Sequence, residues 1–320
     1  MSNSRAVFLD LSPLDQGDLD LSALQSTFAE LVCHEQTSET HIIERLKGAE
    51  VAIVNKVALS EAVFDASPDL KLILVAATGV NNIDLEAAKQ RGIVVSNCQA
   101  YGTATVAQHT IMLLLALATR LPDYQGAVAR SRWQESGQFC LLDFPIVELE
   151  GKTLGLLGHG ELGSAVARLA EAFGMRVRVG NLPGRPKRPG RLDLDELLPQ
   201  VDALTLHCPL TEQTRNLIGA RELQLMKPTA FLINAARGGL VDEQALADAL
   251  RRGHLGGAAT DVLTSEPPRD DNPLLAPDLP RLIITPHSAW GSREARQRIV
   301  VQLAENATAF FAGTPLRQVN

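Results

Sequence analysis

The sequence predicts an α/β protein of two doubly wound domains, each a parallel sheet wrapped by crossover helices. Three observations point there. Short apolar runs alternate with amphipathic, helix-like stretches along almost the whole chain. At 320 residues the chain exceeds what one compact core usually holds. The alternation pauses once, at a long helical stretch followed by a polar segment, and then resumes.

In the first hundred residues the strand candidates are Ala6–Leu9, Val51–Val54, Leu72–Val75 and Ile93–Val95, with helical stretches at Thr40–Lys47 and Leu85–Arg91. A long helix is expected over Ala104–Thr119, then an irregular segment carrying Trp133 and Gln138. The second series offers strands at Thr153–Leu157, Met175–Val179, Ala203–His207, Phe231–Asn234, Ala258–Val262 and Leu282–Thr285. Asp242 is suited to cap a helix whose apolar face is Ala245–Arg252, and Gly253 to stop it. A last helix is expected over Ser292–Phe311. The expected division is a domain of residues 1–100 completed by 291–320, and a second of residues 101–290, with a cleft between them and hinge closure at the two crossings.

Composition narrows the function. Apolar residues at 45% and charged residues at 21% are ordinary for a globular chain. A net charge of −7 argues against broad nucleic-acid binding, which needs a basic surface. The longest apolar run, Ile111–Ala118, is too short for a bilayer and suits a buried helix, so no membrane is expected. No signal peptide is visible. Cys33, Cys98, Cys140 and Cys208 lie far apart, without metal-ligand spacing, and read as buried thiols in a cytoplasmic protein.

The strand candidate Thr153–Leu157 ends in Gly158-His159-Gly160-Glu161-Leu162-Gly163, and a helix and a further strand follow within thirty residues. That is the length of a dinucleotide-binding βαβ unit. Gly158 permits the tight turn, Gly160 lets a pyrophosphate approach the backbone, and Gly163 lets helix and strand pack closely. A carboxylate some twenty residues on would hold the ribose 2′-hydroxyl of NAD, but here Gly180 and Asn181 stand at the strand end. Arg185, Lys187 and Arg188 follow in a proline-bounded loop. The loop is either a solvated basic turn or a site for a 2′-phosphate. The missing acid and the basic cluster agree on NADP(H), with NAD(H) as the alternative.

Ligands in open α/β sheets bind beyond the carboxyl ends of the strands. Three strand candidates lead there into Arg237, Glu266 and His287, so an arginine, a glutamate and a histidine emerge at one sheet edge. Each alone reads as an ordinary surface or turn residue, and their coincidence reads as a site.

Together with Met226–Gly238 and His207-Cys208-Pro209-Leu210-Thr211, these motifs make the chain resemble the D-isomer-specific 2-hydroxyacid dehydrogenases over nearly its whole length. Asn55-Lys56, Tyr101–His109 and the ending His287-Ser288-Ala289-Trp290 look most like the glycerate dehydrogenase and hydroxypyruvate or glyoxylate reductase members. The resemblance implies a flavodoxin-like substrate domain, a Rossmann-like NAD(P)-binding domain and a homodimer, for which the long helix and the segment to about Glu148 are suitable material. It implies hydride exchange between NAD(P)H and a small 2-oxo acid or D-2-hydroxy acid, with no metal. Arg237 would hold the acid's carboxylate, and His287 would exchange the proton with Glu266 beside it. Lys56, Gly79, Val80 and Trp290 fall at substrate positions, although Trp290 is equally suited to fill core. Thr105, Asn181, His207, Cys208, Pro209, Ala235 and Asp261 fall at cofactor positions, with packing an equal alternative for Thr105 and a buried structural carboxylate the alternative for Asp261. Asp84 is expected to cap the helix after the Gly79 turn.

Two other readings stand beside this one. Another small acid, formate or phosphite included, could be oxidised on the same scaffold, although formate-specific relatives carry glutamine where Glu266 stands. A dinucleotide-sensing, corepressor-like protein could keep the fold for partner recognition, although no long tail or docking segment is evident here.

Overall fold

Runs of valine, isoleucine and leucine bounded by turn residues form the strands of two sheets in a computed structural model that describes residues 4–269 and 271–320. One sheet contains β1 (Arg5–Phe8), β2 (Glu30–Cys33), β3 (Val51–Val54), β4 (Leu72–Val75) and β5 (Val94–Ser96), in the order β2-β1-β3-β4-β5. The other contains β6 (Thr153–Leu157), β7 (Arg176–Gly180), β8 (Ala203–Leu206), β9 (Phe231–Asn234), β10 (Gly257–Thr260) and β11 (Leu282–Ile284), in the order β11-β10-β9-β8-β6-β7. All their pairings are parallel. Both sheets are therefore doubly wound, and each reverses direction beside its first strand.

The chain divides into two units, Met1–Gly102 with Trp290–Asn320, and Thr103–Ala289. In the first, one face of the sheet packs Val7, Val54, Ile73 and Val75 against Ile42, Phe64 and Ala87. The other face packs Phe8, Ile53 and Leu74 against Leu24 and the helix Arg293–Phe311, through Ile299, Val300 and Leu303. In the second, the helices Thr103–Ala118 and Glu161–Ala172 cover one face and the helix Glu243–Arg251 the other. Interior strands such as β3 and β4 are buried along their full length, which is why they read as unbroken apolar runs.

Local punctuation works as the sequence suggests. Asp84 and Asp242 each accept the backbone N–H three residues on, from Ala87 and Ala245, and Gly253 lies at φ +68° past its helix. Several expectations need correction. β2 is an edge strand with no buried residue, so it lacks the apolar signature that reveals the others. The segment after the long helix holds two further helices, Leu121–Ala129 and Arg132–Ser136, before the irregular stretch. Cys98 and Cys208 are buried, but Cys33 and Cys140 are exposed. No single helix among the described residues is long and apolar enough to cross a membrane.

His207, just past the end of β8, is half-buried, with its ring turned inward. Its Nε2 shares a 3.0 Å hydrogen bond with Thr205 Oγ1, its Nδ1 is sealed without a hydrogen-bond partner among the described residues, and burial pushes the imidazole down to about 4. Below its ordinary value the unfolded chain protonates this ring while the folded chain resists, so stability falls as pH drops from about 6.5 toward 4. The ring should remove about 2–3 kcal/mol of stability between neutrality and about pH 4.5. Urea unfolding of the chain and of His207→Gln at the two pH values checks this: the variant should show the shallower loss.

Candidate active site

The turn between β6 and the helix Glu161–Ala172 is fixed by steric necessity at two of its glycines. Gly158 sits at φ +99°, and a Cβ there would lie 2.3 Å from the His207 carbonyl oxygen. A Cβ on Gly163 would lie 2.1 Å from the Gly158 carbonyl oxygen. Gly160 differs: its Cβ position meets no protein atom within 4 Å, so the protein itself does not demand glycine there. The open face at Gly160, at a helix N-terminus and at the switch point between β6 and β8, suits an anionic phosphate. His159 and Glu161 are exposed beside it, and Leu162 packs half-buried on the core. Glu161 Oε1 accepts from Thr103 Oγ1 at 2.9 Å, which sets the start of the Thr103–Ala118 helix, and with it Thr105, against the same turn. The residues present thus fit a dinucleotide.

The loop after β7 is organised by Asn181. Its Nδ2 donates to Asp193 Oδ1 at 3.0 Å, and its Oδ1 accepts from Arg188 N–H at 3.2 Å. Asp193 is a carboxylate that sequence spacing did not bring to this edge. Lys187 first, and then Asn181, hold it below the usual carboxylate range, and it caps the short helix Leu194–Leu197. Lys187 is therefore committed to an ion pair with Asp193. The exposed side chains of Arg185 and Arg188 have no ion-pair partner among the described residues. The Arg185 charge is felt at the Cys208 thiol, which burial nonetheless pushes up to about 11. Cys208 is buried and Pro209 exposed, and a Cβ on Gly184 would lie 3.1 Å from Gln213 Cγ, so the loop after β8 borders the basic loop.

Arg237, Glu266 and His287 follow β9, β10 and β11, three adjacent strands. Glu266 Oε2 and His287 Nδ1 are 2.5 Å apart, and Glu266 Oε1 accepts from Leu263 N–H at 2.8 Å. His287 lies at φ +51°, a conformation that costs a non-glycine residue free energy and needs support. Its N–H donates to the Asp261 carbonyl at 2.8 Å. The Asp261 carboxylate, 2% exposed, accepts Ser288 N–H on Oδ1 and Ala289 N–H on Oδ2, each at 2.9 Å. The family resemblance offers Asp261 either a cofactor contact or the part of a buried structural carboxylate, and its side chain grips the loop that carries His287. Arg237 is exposed, and among the described residues no carboxylate pairs with it.

Two supports of Arg237 escaped sequence reading. Asn234 donates to the Arg237 carbonyl at 2.8 Å and accepts Ala236 N–H at 3.1 Å, holding the turn that contains the buried Ala235. A Cβ on Gly238 would lie 2.1 Å from Leu263 backbone, so glycine alone lets the arginine loop abut the glutamate loop. The run Ala235-Ala236-Arg237-Gly238-Gly239 held that signal.

In the other unit, Asn82 Nδ2 donates to the Val57 carbonyl at 2.8 Å, and Leu59 N–H to the Asn82 carbonyl at 2.8 Å. This brings the loop of Lys56 beside that of Gly79 and Val80. Asp10, unnoticed in the sequence, accepts the N–H groups of Asn55, Lys56 and Val57 at 2.6–3.0 Å. Burial raises its carboxyl above the ordinary value against those bonds. Trp290 packs edge-on to Tyr101, ring centroids 6.4 Å apart, against the core.

Residues 111–289 match the family described as D-isomer specific 2-hydroxyacid dehydrogenase, NAD binding domain. A glycerate dehydrogenase from Methylorubrum extorquens is 46% identical over 304 residues, 94% of this chain and 96% of its own. A hydroxypyruvate reductase from Blautia hydrogenotrophica is 35% identical over 323 positions, 99% of each chain. Among solved structures, an acyclic imino acid reductase in complex with NADPH and D-arginine aligns with a TM-score of 0.85 at 30% identity, over 99% of this chain and 100% of that one. With a dinucleotide-shaped turn and matches along nearly the full length, the chain belongs to the D-isomer specific 2-hydroxyacid dehydrogenase family, NAD(P)-dependent oxidoreductases acting on the CH–OH group of donors.

Proposed function

We propose that this chain reduces hydroxypyruvate or glyoxylate, with NADP(H) favoured over NAD(H), and that Arg237, Glu266 and His287 carry the chemistry. The observation that carries the reading is the 2.5 Å Glu266–His287 pair on the loops after β10 and β11, next to the β9 loop of Arg237, which has no carboxylate partner among the described residues. The names of the Methylorubrum and Blautia relatives support the substrate class.

The bound cofactor supplies the hydride, and the protein supplies position, charge and the proton. Arg237 would bind the acid's carboxylate with its planar fork and polarise the neighbouring carbonyl. With Nδ1–H donated to Glu266, the other ring nitrogen of His287 is left to meet the substrate. In reduction, Nε2–H would protonate the carbonyl oxygen as hydride reaches carbon. In oxidation, neutral Nε2 would take the hydroxyl proton. Glu266 would hold the tautomer and stabilise the imidazolium.

Lys56, Gly79, Val80 and Trp290 are carried as substrate contacts on the family resemblance. The contacts of Thr105, Asn181, Ala235, His207, Cys208, Pro209 and Asp261 with the cofactor rest on it too. The preference for NADP(H) is supported by Arg185 and Arg188, by the absence of an acid directly after β7, and by the commitment of Asp193 to Lys187 and a helix cap. A homodimer is supported by the exposed Phe139, Leu142 and Ile146 after the long helix.

His287→Ala should lower kcat by about 10²–10⁴-fold while NADPH affinity, read from nicotinamide fluorescence, stays near that of the parent. Glu266→Gln should cost less; a near-parental kcat for His287→Ala sinks the assignment. Initial rates with glyoxylate and hydroxypyruvate should be faster with NADPH than with NADH. Replacing Arg185 and Arg188 by alanine should raise KM for NADPH by roughly tenfold or more and leave KM for NADH alone. A parental preference for NADH would reduce the basic loop to a solvated turn, and absence of turnover with either acid would point to a different substrate.

A further inference from the structure

We propose that His109 is a positioning residue for the acid–base loop: its Nε2–H fixes the polarity of the Thr285 hydroxyl, which in turn holds the Asp261 carboxylate on the backbone around His287. The proposal rests on the reading of His287 as the proton-exchanging group. His109 lies on the helix Thr103–Ala118, with its side chain 15% exposed. Its Nε2 is 3.0 Å from Thr285 Oγ1 and 3.5 Å from Asp261 Oδ1. Thr285 lies two residues before His287, and Asp261 just past the end of β10.

The direction of each hydrogen bond follows from what each atom can do. Asp261 receives Ser288 N–H, Ala289 N–H and the Thr285 hydroxyl, the last at 2.5 Å, so its carboxylate is purely an acceptor. The one proton of Thr285 is thereby spent on Asp261. Toward His109 the hydroxyl oxygen has only lone pairs left, and Nε2 of His109 must be the donor. With an acceptor nitrogen in that place, two lone pairs would face each other at 3.0 Å, and the hydroxyl would be drawn away from Asp261. Asp261 would then lose one of the donors that anchor the Ser288 and Ala289 backbone. His287, held at φ +51°, would lose the support that keeps its ring in one place. The helix and the loop are 176 residues apart in sequence, so only the fold makes this coupling.

The test pairs a loss with a rescue at each position. His109→Leu and Thr285→Val should lower kcat about tenfold with KM within about twofold of the parent, the pattern of a misplaced reacting group. His109→Gln, whose side-chain NH₂ again offers a donor, and Thr285→Ser should recover to within about threefold. Imidazole ¹⁵N spectra of the whole protein should show His109 with a protonated, slowly exchanging Nε2, assigned by its loss in His109→Gln and shifted in Thr285→Val. An Nδ1–H tautomer in the parent overturns the proposal, and so does parental kcat in both His109→Leu and Thr285→Val. If His109→Leu does not fold, the Thr285 pair and the parent spectrum still decide. Near-parental kcat in His287→Ala would strike the underlying reading instead, and the tautomer would be read independently of it.

Discussion

The carboxylate of Asp261 is the constraint on which the rest of the second unit's chemistry depends. At the carboxyl ends of parallel strands the ladder stops, and the backbone N–H groups of the following loop have lost their partners. Asp261 collects Ser288 N–H and Ala289 N–H on its two oxygens, while its carbonyl takes His287 N–H. That pins a loop whose central residue lies at positive φ. The side chain of His287 is then aimed at Glu266 by backbone geometry, and the 2.5 Å contact between them follows.

The first unit uses the same device. Asp10, past the end of β1, accepts three successive N–H groups of the loop after β3 and so places Lys56. Burial opposes ionisation of Asp10 and outweighs the three donors, which offset it only in part. In each unit a buried aspartate satisfies a strand-end loop that carries a residue of the proposed chemistry. Loops placed in this way lose little order when a charged substrate arrives, because their donors are already held.

The dinucleotide turn is built by exclusion more than by attraction. Gly158 and Gly163 are glycines because protein atoms already occupy the space of a Cβ, whereas Gly160 is bounded by open space. The neighbouring basic loop is shaped by Asn181 and by the capping of Asp193, which leaves Arg185 and Arg188 at its surface. Sheet order brings the pieces together: β6 lies next to both β7 and β8, so the loops leaving all three strands share one edge.

By itself the sequence determined the elements whose cause is local. Apolar runs such as Val51–Val54 and Leu72–Val75 could only be buried strands, and Asp84, Asp242 and Gly253 carried their capping chemistry in their own neighbourhoods. The glycine turn and the Arg237, Glu266 and His287 loops were legible because each follows a strand at short range. The edge strand Glu30–Cys33 was not, since no residue of it is fully buried, and neither were the helices at Leu121–Ala129, which contains Pro122 and Gly126, and Arg132–Ser136, which is only five residues long. Only the tertiary structure decided that Asp10 would hold Lys56 and that His109 would reach Thr285. These depend on which strands lie side by side and on where loops distant in sequence meet, and residue type and spacing along one chain do not encode that at short range.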